Sequence, residues 1–292
     1  MILPRFKFIE PETLEEAFEI VEQNKGDTAF LAGGTDLLVN LKKKVVHHSV
    51  IISLEKLAQL KNIEYSNEKG LTLGAMTRIS DIEESPVLRE KYPILAIAAS
   101  KLGSPQVRNR ATVGGNICAA RPAGDTIGPL IAYAATVRLV SKDGERCQPL
   151  EGFFLGPGKA IIRKGEILAD IQLSTIPANT GASYIKYGIR KAMEIAVVSV
   201  TTLLTFGNAS CQSARVVLGA VAPTFIRSPQ AEEVLSGKIF SRDIAGHAAK
   251  LAADCCQPIS DMRASAEYRR ELVEVLTRRS LLEAASQCVN FS

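Results

Sequence analysis

The chain has no tryptophan and only three histidines, His47, His48 and His247. Histidine is the usual acid–base group near neutral pH, so its scarcity narrows the catalytic options. His47 and His48 follow a lysine run in a surface loop, and His247 falls in an amphipathic helix; all three read as solvated side chains. Six cysteines, Cys118, Cys147, Cys211, Cys255, Cys256 and Cys288, are scattered without a Cys-x-x-Cys pair. Adjacent Cys255 and Cys256 cannot readily supply two ligands to one tetrahedral ion. Reduced core thiols are expected, with no metal or iron–sulfur cluster held by this chain alone. No apolar run reaches the length of a bilayer span. The start, Met1-Ile2-Leu3-Pro4-Arg5-Phe6-Lys7, lacks a charged region leading into an apolar core, so no secretory signal is read and a cytoplasmic location is expected. Lys+Arg number 35 against 31 Asp+Glu, a net charge of +4 with no basic block, which disfavours nucleic acid. Also missing are Gly-x-Ser-x-Gly, His-Glu-x-x-His, the Gly-x-Gly-x-x-Gly fingerprint and the P-loop. No catalytic residue is therefore assigned, and the reactive chemistry is expected to belong to a bound ligand.

What the chain does have is a doubled motif. Ala111-Thr112-Val113-Gly114-Gly115-Asn116-Ile117 is echoed by Leu31-Ala32-Gly33-Gly34-Thr35-Asp36. Each is a pair of glycines flanked by threonine and by Asn or Asp. Paired glycines permit positive φ and remove both Cβ atoms, so a phosphate-bearing ligand could lie against main-chain N–H groups. The plainer alternative is two ordinary glycine turns. Between them, Arg108 and Arg110 either face a phosphate or are solvated. Asp125, after Gly124, either accepts from a ribose hydroxyl or base edge, or caps a helix.

The 292 residues suit two or three compact domains. Thr13-Leu14-Glu15-Glu16 opens a helix with a capping box and an apolar stripe of Leu14, Ala17, Phe18 and Val21, ended by Asn24-Lys25-Gly26. Thr28–Leu31 reads as a strand, Asp36–Lys42 as helical, and Val50–Ile52 as a buried strand. Ile63–Tyr65 and Leu71–Gly74 form a hairpin, and Tyr92–Leu102 a buried helix. Pro129–Tyr133 reads as a short helix. Strands follow at Thr136–Val140 and Ile167–Leu173, with Phe153 to Gly158 as a loop between them. Pro177–Gly181 reads as a linker, which places a domain boundary there. Beyond it come three strands, Tyr184–Tyr187, Val197–Phe206 and Arg215–Val221, then helices near Gln230–Leu235, Asp243–Ala253 and Ala266–Ala285. The last helix is read with Tyr268, Leu272, Val275 and Leu276 on its apolar side.

The two glycine motifs, with Pro105-Gln106-Val107-Arg108-Asn109, Gly124-Asp125, Glu166-Ile167-Leu168 and Tyr184-Ile185-Lys186-Tyr187, resemble in order the FAD-binding medium subunits of molybdenum hydroxylases, of the xanthine dehydrogenase and carbon monoxide dehydrogenase type. The resemblance spans essentially the whole chain. It implies an α+β fold: a two-lobed FAD-binding domain of the vanillyl-alcohol-oxidase-like type over 1–176, with lobes of about 1–54 and 55–176, then an α+β C-terminal domain over 177–292 with a three-stranded antiparallel sheet and helices. It also implies a cofactor, FAD, and its contacts. Phe30, Leu31, Ala32, Gly33, Gly34, Thr35, Asp36 and Leu37 would wrap the pyrophosphate. Thr112, Val113, Gly114, Gly115 and Asn116 would hold the diphosphate and isoalloxazine. Asp125 would bind the adenosine or ribityl side, Leu168 would pack on the flavin, and Lys186 would reach its polar edge. The family's adenine-stacking aromatic falls near Leu102, which is not aromatic. The implied partners are a [2Fe–2S] subunit, a molybdopterin-binding subunit, and NAD⁺ or another electron acceptor. The run Lys186–Ile195 leans toward xanthine-dehydrogenase-type subunits. Two other readings remain open: a self-contained flavin oxidase of the same broad fold, and a flavin-free nucleotide-binding or scaffold subunit.

Overall fold

The computed structural model describes residues 2–24, 27–190, 192–207 and 210–289. Lys25 and Gly26, read as part of a helix stop, and Lys191 in the run Lys186–Ile195 lie outside the described residues. Helix Leu14–Gln23 begins where the sequence signals it, with the Thr13 side chain accepting from the Glu16 N–H at 3.1 Å and Asn24 as the C-cap. It buries Ala17, Phe18 and Ile20. Its core also takes in Val50, Ile52 and Leu57. Strands Lys7–Ile9, Val50–Ser53 and Thr28–Leu31 form a three-stranded parallel sheet with Val50–Ser53 in the middle. A central parallel strand is covered on both faces, and all four residues of Val50–Ser53 are buried.

The next region is built on a five-stranded antiparallel sheet. Its order is Ile63–Ser66, Gly70–Gly74, Ile167–Leu173, Thr136–Ser141, Gly144–Pro149. The hairpin is thus completed by a strand from far along the chain. Helix Pro93–Ser100 buries five of its apolar residues in the core of this region, and the Tyr92 hydroxyl donates to the Ser174 carbonyl at 2.9 Å. Phe154–Gly156 pairs with Lys159–Ala160, so the segment read as a loop contains a small hairpin.

The C-terminal sheet has four antiparallel strands, not three: Thr180–Tyr187, Val198–Gly207, Ser210–Gly219 and Ile226–Arg227. The fourth is two residues long, too short to show alternation in sequence. The Pro177–Gly181 linker also ends early, because Thr180 and Gly181 already pair with Thr205 and Leu204. Gly181 serves packing, since a Cβ there would stand 1.9 Å from the Ala284 carbonyl oxygen. Helices Pro229–Leu235, Arg242–Asp254 and Ala266–Ser286 complete this part. The apolar side of Ala266–Ser286 differs from the sequence reading: Tyr268 and Val275 are exposed, while Val273, Leu276, Leu281, Ala284 and Ala285 are buried with Arg269, Thr277 and Ser280. One hydroxyl of that face, that of Ser280, shares a 2.8 Å hydrogen bond with Thr202, whereas Thr277 Oγ1 has no partner among the described residues.

Candidate functional site

A cleft of about 1150 Å³ runs between the parallel sheet, the five-stranded region and the C-terminal part. That exceeds the usual ~300–1,000 Å³ of sites for drug-sized ligands, and suits something as long as a dinucleotide. Both glycine motifs line it. Of the residues singled out, Phe30, Ala32, Gly33, Gly34, Thr35, Asp36, Leu37, Leu102, Thr112, Gly114, Gly115, Asn116, Asp125 and Leu168 border the cleft. Leu31, Val113 and Lys186 do not; Val113 is fully buried in the core instead.

The two motifs differ in construction. The first follows strand Thr28–Leu31 as an irregular loop, with Gly34 at φ +75°, and leads into helix Leu37–Lys42. Among the described residues, no acceptor takes the amide hydrogens of Gly33, Gly34, Thr35 and Asp36. Four consecutive unclaimed N–H groups beside a cleft form a ready cradle for an anion. The second motif is not a turn. Thr112 caps a short helix, Val113–Cys118, and neither of its glycines has positive φ. Its amides are already used: Val113 donates to the Thr77 carbonyl at 3.0 Å, Gly114 to the Ala75 carbonyl at 2.9 Å, and Gly115 to Thr112 Oγ1 at 3.1 Å. What this motif offers a ligand is the bare surface of Gly115 and the Asn116 side chain, whose Oδ1 accepts from Thr126 Oγ1 at 2.8 Å. The motifs touch each other directly. A Cβ on Gly33 would lie 1.9 Å from the Arg110 carbonyl oxygen and 2.9 Å from Ala111 Cα, whereas one on Gly114 would lie 2.6 Å from Cβ of Ala75, outside both motifs.

The two arginines ahead of the second motif play no part in the cleft lining. Arg108 Nε donates to Glu83 Oε2 at 2.5 Å, an internal ion pair, and Arg110 is exposed. Asp125 is not a helix cap either. Helix Ile127–Ala132 has Thr126 at its N-cap with no side-chain bond, while the buried Asp125 carboxylate meets the Tyr184 hydroxyl and Lys186 Nζ, each at 2.9 Å. Burial pushes its carboxyl upward and Lys186 counters that.

Sequence reading missed several wall segments. Ala75 and Met76 give an apolar floor beside Leu102 and Leu168. Arg163, Lys164 and Glu166 form one rim. There the Arg146 guanidinium grips Glu166 at 2.7 and 2.8 Å, holding its carboxyl below the usual range, and Glu166 accepts from the Arg163 N–H at 2.6 Å. Gly165 at φ +82° was the available signal for this tight turn. The far wall comes from the C-terminal part through Met193, Glu194, Ile195, Ala220, Pro223, Gln257, Ile259 and Arg263. One buried side chain ties these loops together. Arg269, 1% exposed, donates through Nη1 to the Val197 and Ala220 carbonyls at 2.7 and 3.1 Å and through Nη2 to Asp261 at 2.8 Å. Cys118 also borders the cleft, but burial pushes its thiol up to about 12, so it is neutral and a poor nucleophile.

A dinucleotide cofactor fits this set of residues: unclaimed amides for a diphosphate, an amide side chain beside a surface without Cβ, and an apolar floor for rings. The sequence profile described as "FAD binding domain in molybdopterin dehydrogenase" matches residues 4–176, and "CO dehydrogenase flavoprotein C-terminal domain" matches residues 183–284. The carbon monoxide dehydrogenase medium chain of Hydrogenophaga pseudoflava is 32% identical, covering 99% of this chain and 100% of the relative. The putative xanthine dehydrogenase FAD-binding subunit of Escherichia coli is 30% identical over 94% of each chain. Among solved structures, a chain of the Hydrogenophaga pseudoflava carbon monoxide dehydrogenase superposes with a TM-score of 0.95 at 31% identity, covering 99% of this chain and 100% of that one. The chain therefore belongs to the molybdenum hydroxylase family as an FAD-binding medium subunit, an oxidoreductase component with an α+β fold.

Proposed function

We propose that this chain is the flavin relay of a three-subunit molybdenum hydroxylase. A molybdopterin-binding subunit would oxidise the organic substrate, a [2Fe–2S] subunit would carry electrons here, and NAD⁺ or another acceptor would take them away. The observation that carries this reading is the cradle of unclaimed amides at Gly33 to Asp36, set in a dinucleotide-sized cleft of a chain similar along its whole length to medium chains and FAD-binding subunits. Bound FAD supplies the redox chemistry, accepting electrons singly and releasing them singly or as a hydride. The protein's task is to hold and tune it. The Gly33, Gly34, Thr35 and Asp36 amides would take the diphosphate, and Asn116 and the Gly115 surface would lie along the flavin portion, with Leu168 and Leu102 against its rings. The division into 1–176 and 177–292 is part of the same proposal, supported by the two profile matches. The lean toward xanthine oxidation rests on Lys186–Ile195 alone. Relatives named for carbon monoxide, xanthine and glyceraldehyde are 32%, 30% and 32% identical, so identity does not choose among them.

The purified chain is expected to carry one FAD that acid releases, and to pass electrons from reduced nicotinamide to an artificial dye. With FAD but without partner subunits it is expected to leave purines, aldehydes and N-heterocycles unoxidised. Robust turnover of any of these by the isolated chain would make it a self-contained oxidase and end the relay reading.

A further inference from the structure

One turn of the cleft wall is held in an unfavourable backbone conformation. Ala220 follows strand Ser210–Gly219 with φ +64°, a left-handed conformation that is costly for an L-residue and easy for glycine. The neighbouring glycine is committed elsewhere. A Cβ on Gly219 would lie 2.4 Å from both Ser199 Oγ and Phe225 Cε1. Packing therefore takes the glycine and leaves an alanine at the strained position. Such a residue keeps its conformation only where its surroundings over-determine it.

Two hydrogen bonds grip the Ala220 backbone from opposite sides. Its carbonyl accepts from Arg269 Nη1 at 3.1 Å, and its N–H donates to the Pro122 carbonyl at 2.7 Å. Arg269 stands near the start of helix Ala266–Ser286, 1% exposed, and is itself fixed by the Val197 carbonyl at 2.7 Å and Asp261 Oδ1 at 2.8 Å. Pro122 belongs to the segment 121–125, every residue of which borders the cleft, as do Ala220, Ala222 and Pro223. A chain of contacts thus runs from the last helix, through one strained residue, to the loop after helix Val113–Cys118.

We propose that Arg269 is a positioning residue: it holds Ala220 in its left-handed conformation and, through the bond from the Ala220 N–H to the Pro122 carbonyl, fixes the cleft segment 121–125 and so sets how long the cofactor stays bound. The effect on FAD rests on the flavin reading; the coupling between residues 269 and 220 does not. The test uses Arg269→Lys, Ala220→Gly and the double variant in the full chain. Arg269→Lys keeps the charge and loses the fork that spans three acceptors. It should lower the melting temperature of the apoprotein. It should also speed FAD release on dilution, followed by flavin fluorescence, by about tenfold, the order of factor to which the strain of one such residue converts. Ala220→Gly alone should stay close to the wild type in both respects. The double should be more stable than Arg269→Lys and recover most of the slow release, because glycine adopts this φ unaided. As a control, Leu281→Ala opens a cavity on the same helix and should lower the melting temperature without changing the release rate. Additive effects at 269 and 220, or a release rate that tracks melting temperature in Leu281→Ala as well, would make Arg269 a plain structural residue and overturn the proposal. Should Arg269→Lys not fold, the double decides: a folded double that retains FAD supports the strut, and a double that is equally unfolded refutes it. A wild type that takes up no FAD would end the flavin reading and leave the strut to apoprotein melting, where a double no more stable than Arg269→Lys refutes it.

Discussion

Gly33 has no room for a methyl group, and the obstacle is the protein itself. Its missing Cβ would stand 1.9 Å from the Arg110 carbonyl oxygen and 2.9 Å from Ala111 Cα. Backbone cannot move aside as a flexible side chain can. Gly33→Ala is therefore expected to destabilise the apoprotein by about 1–3 kcal/mol, the cost typical of overpacking. Urea unfolding in the absence of FAD measures this, and a loss confined to the FAD-loaded protein would place the constraint in the ligand instead. The paired glycines were legible in the sequence as the stretches around which the chain is built, but their reason was not. Read alone, Gly-Gly suggests space for a ligand. Here Gly33 and Gly114 make space for chain far away in sequence, Gly34 supplies a positive φ, and Gly115 is left to face the cleft. Nothing local marks which glycine does which.

Among the elements, those with strong local signals were readable and those made by distant pairing were not. The Thr13 cap, the hairpin from Ile63 to Gly74 and the strand Ile167–Leu173 follow from period and punctuation. Helix Ala266–Ser286 was found, but its buried side was misjudged, because that face carries Arg269, Thr277 and Ser280 and so looks polar. Only the carbonyls of Val197 and Ala220 and the carboxylate of Asp261 explain why an arginine belongs there. This knot has a pH signature. Hydrogen bonds from Arg263, then from Arg269, hold the Asp261 carboxyl far below its usual range. A carboxyl lowered in the folded state contributes stability that is full above its unfolded value, about 3.9, and is lost as pH falls through the folded one. The wild type should accordingly lose stability on acidification below about pH 5. Asp261→Asn should start less stable and lose less across the same interval. Melting curves at stepped pH check this, and parallel losses in the two proteins would mean the carboxylate is not paired in solution.

At the scale of the molecule, the α+β class was implied by the resemblance that the ordered motifs carry, whereas the cleft was not legible in the sequence. Its walls come from Thr28 to Lys43, from Ala75, from Leu102 to Asp125, from Pro157 to Leu168 and from C-terminal segments as late as Arg269 in the last helix, and only tertiary structure brings these together. A ligand spanning them ties the regions to one another. FAD should then raise the stability of the whole chain, by about 2.7 kcal/mol at a free concentration one hundred times its Kd and growing with the logarithm of concentration. Calorimetry across a range of FAD concentrations measures that, and a melting temperature indifferent to FAD would deny the cleft its ligand. The contact between Gly33 and Arg110 bears on when such a ligand can arrive. Since the two motifs already rest on each other, the entropy of bringing them together is spent in folding, and capture carries no such tax. It follows that the receptor is a late product of synthesis. A nascent chain that has exposed only its first glycine pair has no second wall to lean on, so loading waits for the later segments, and the order of assembly is folding first and cofactor second.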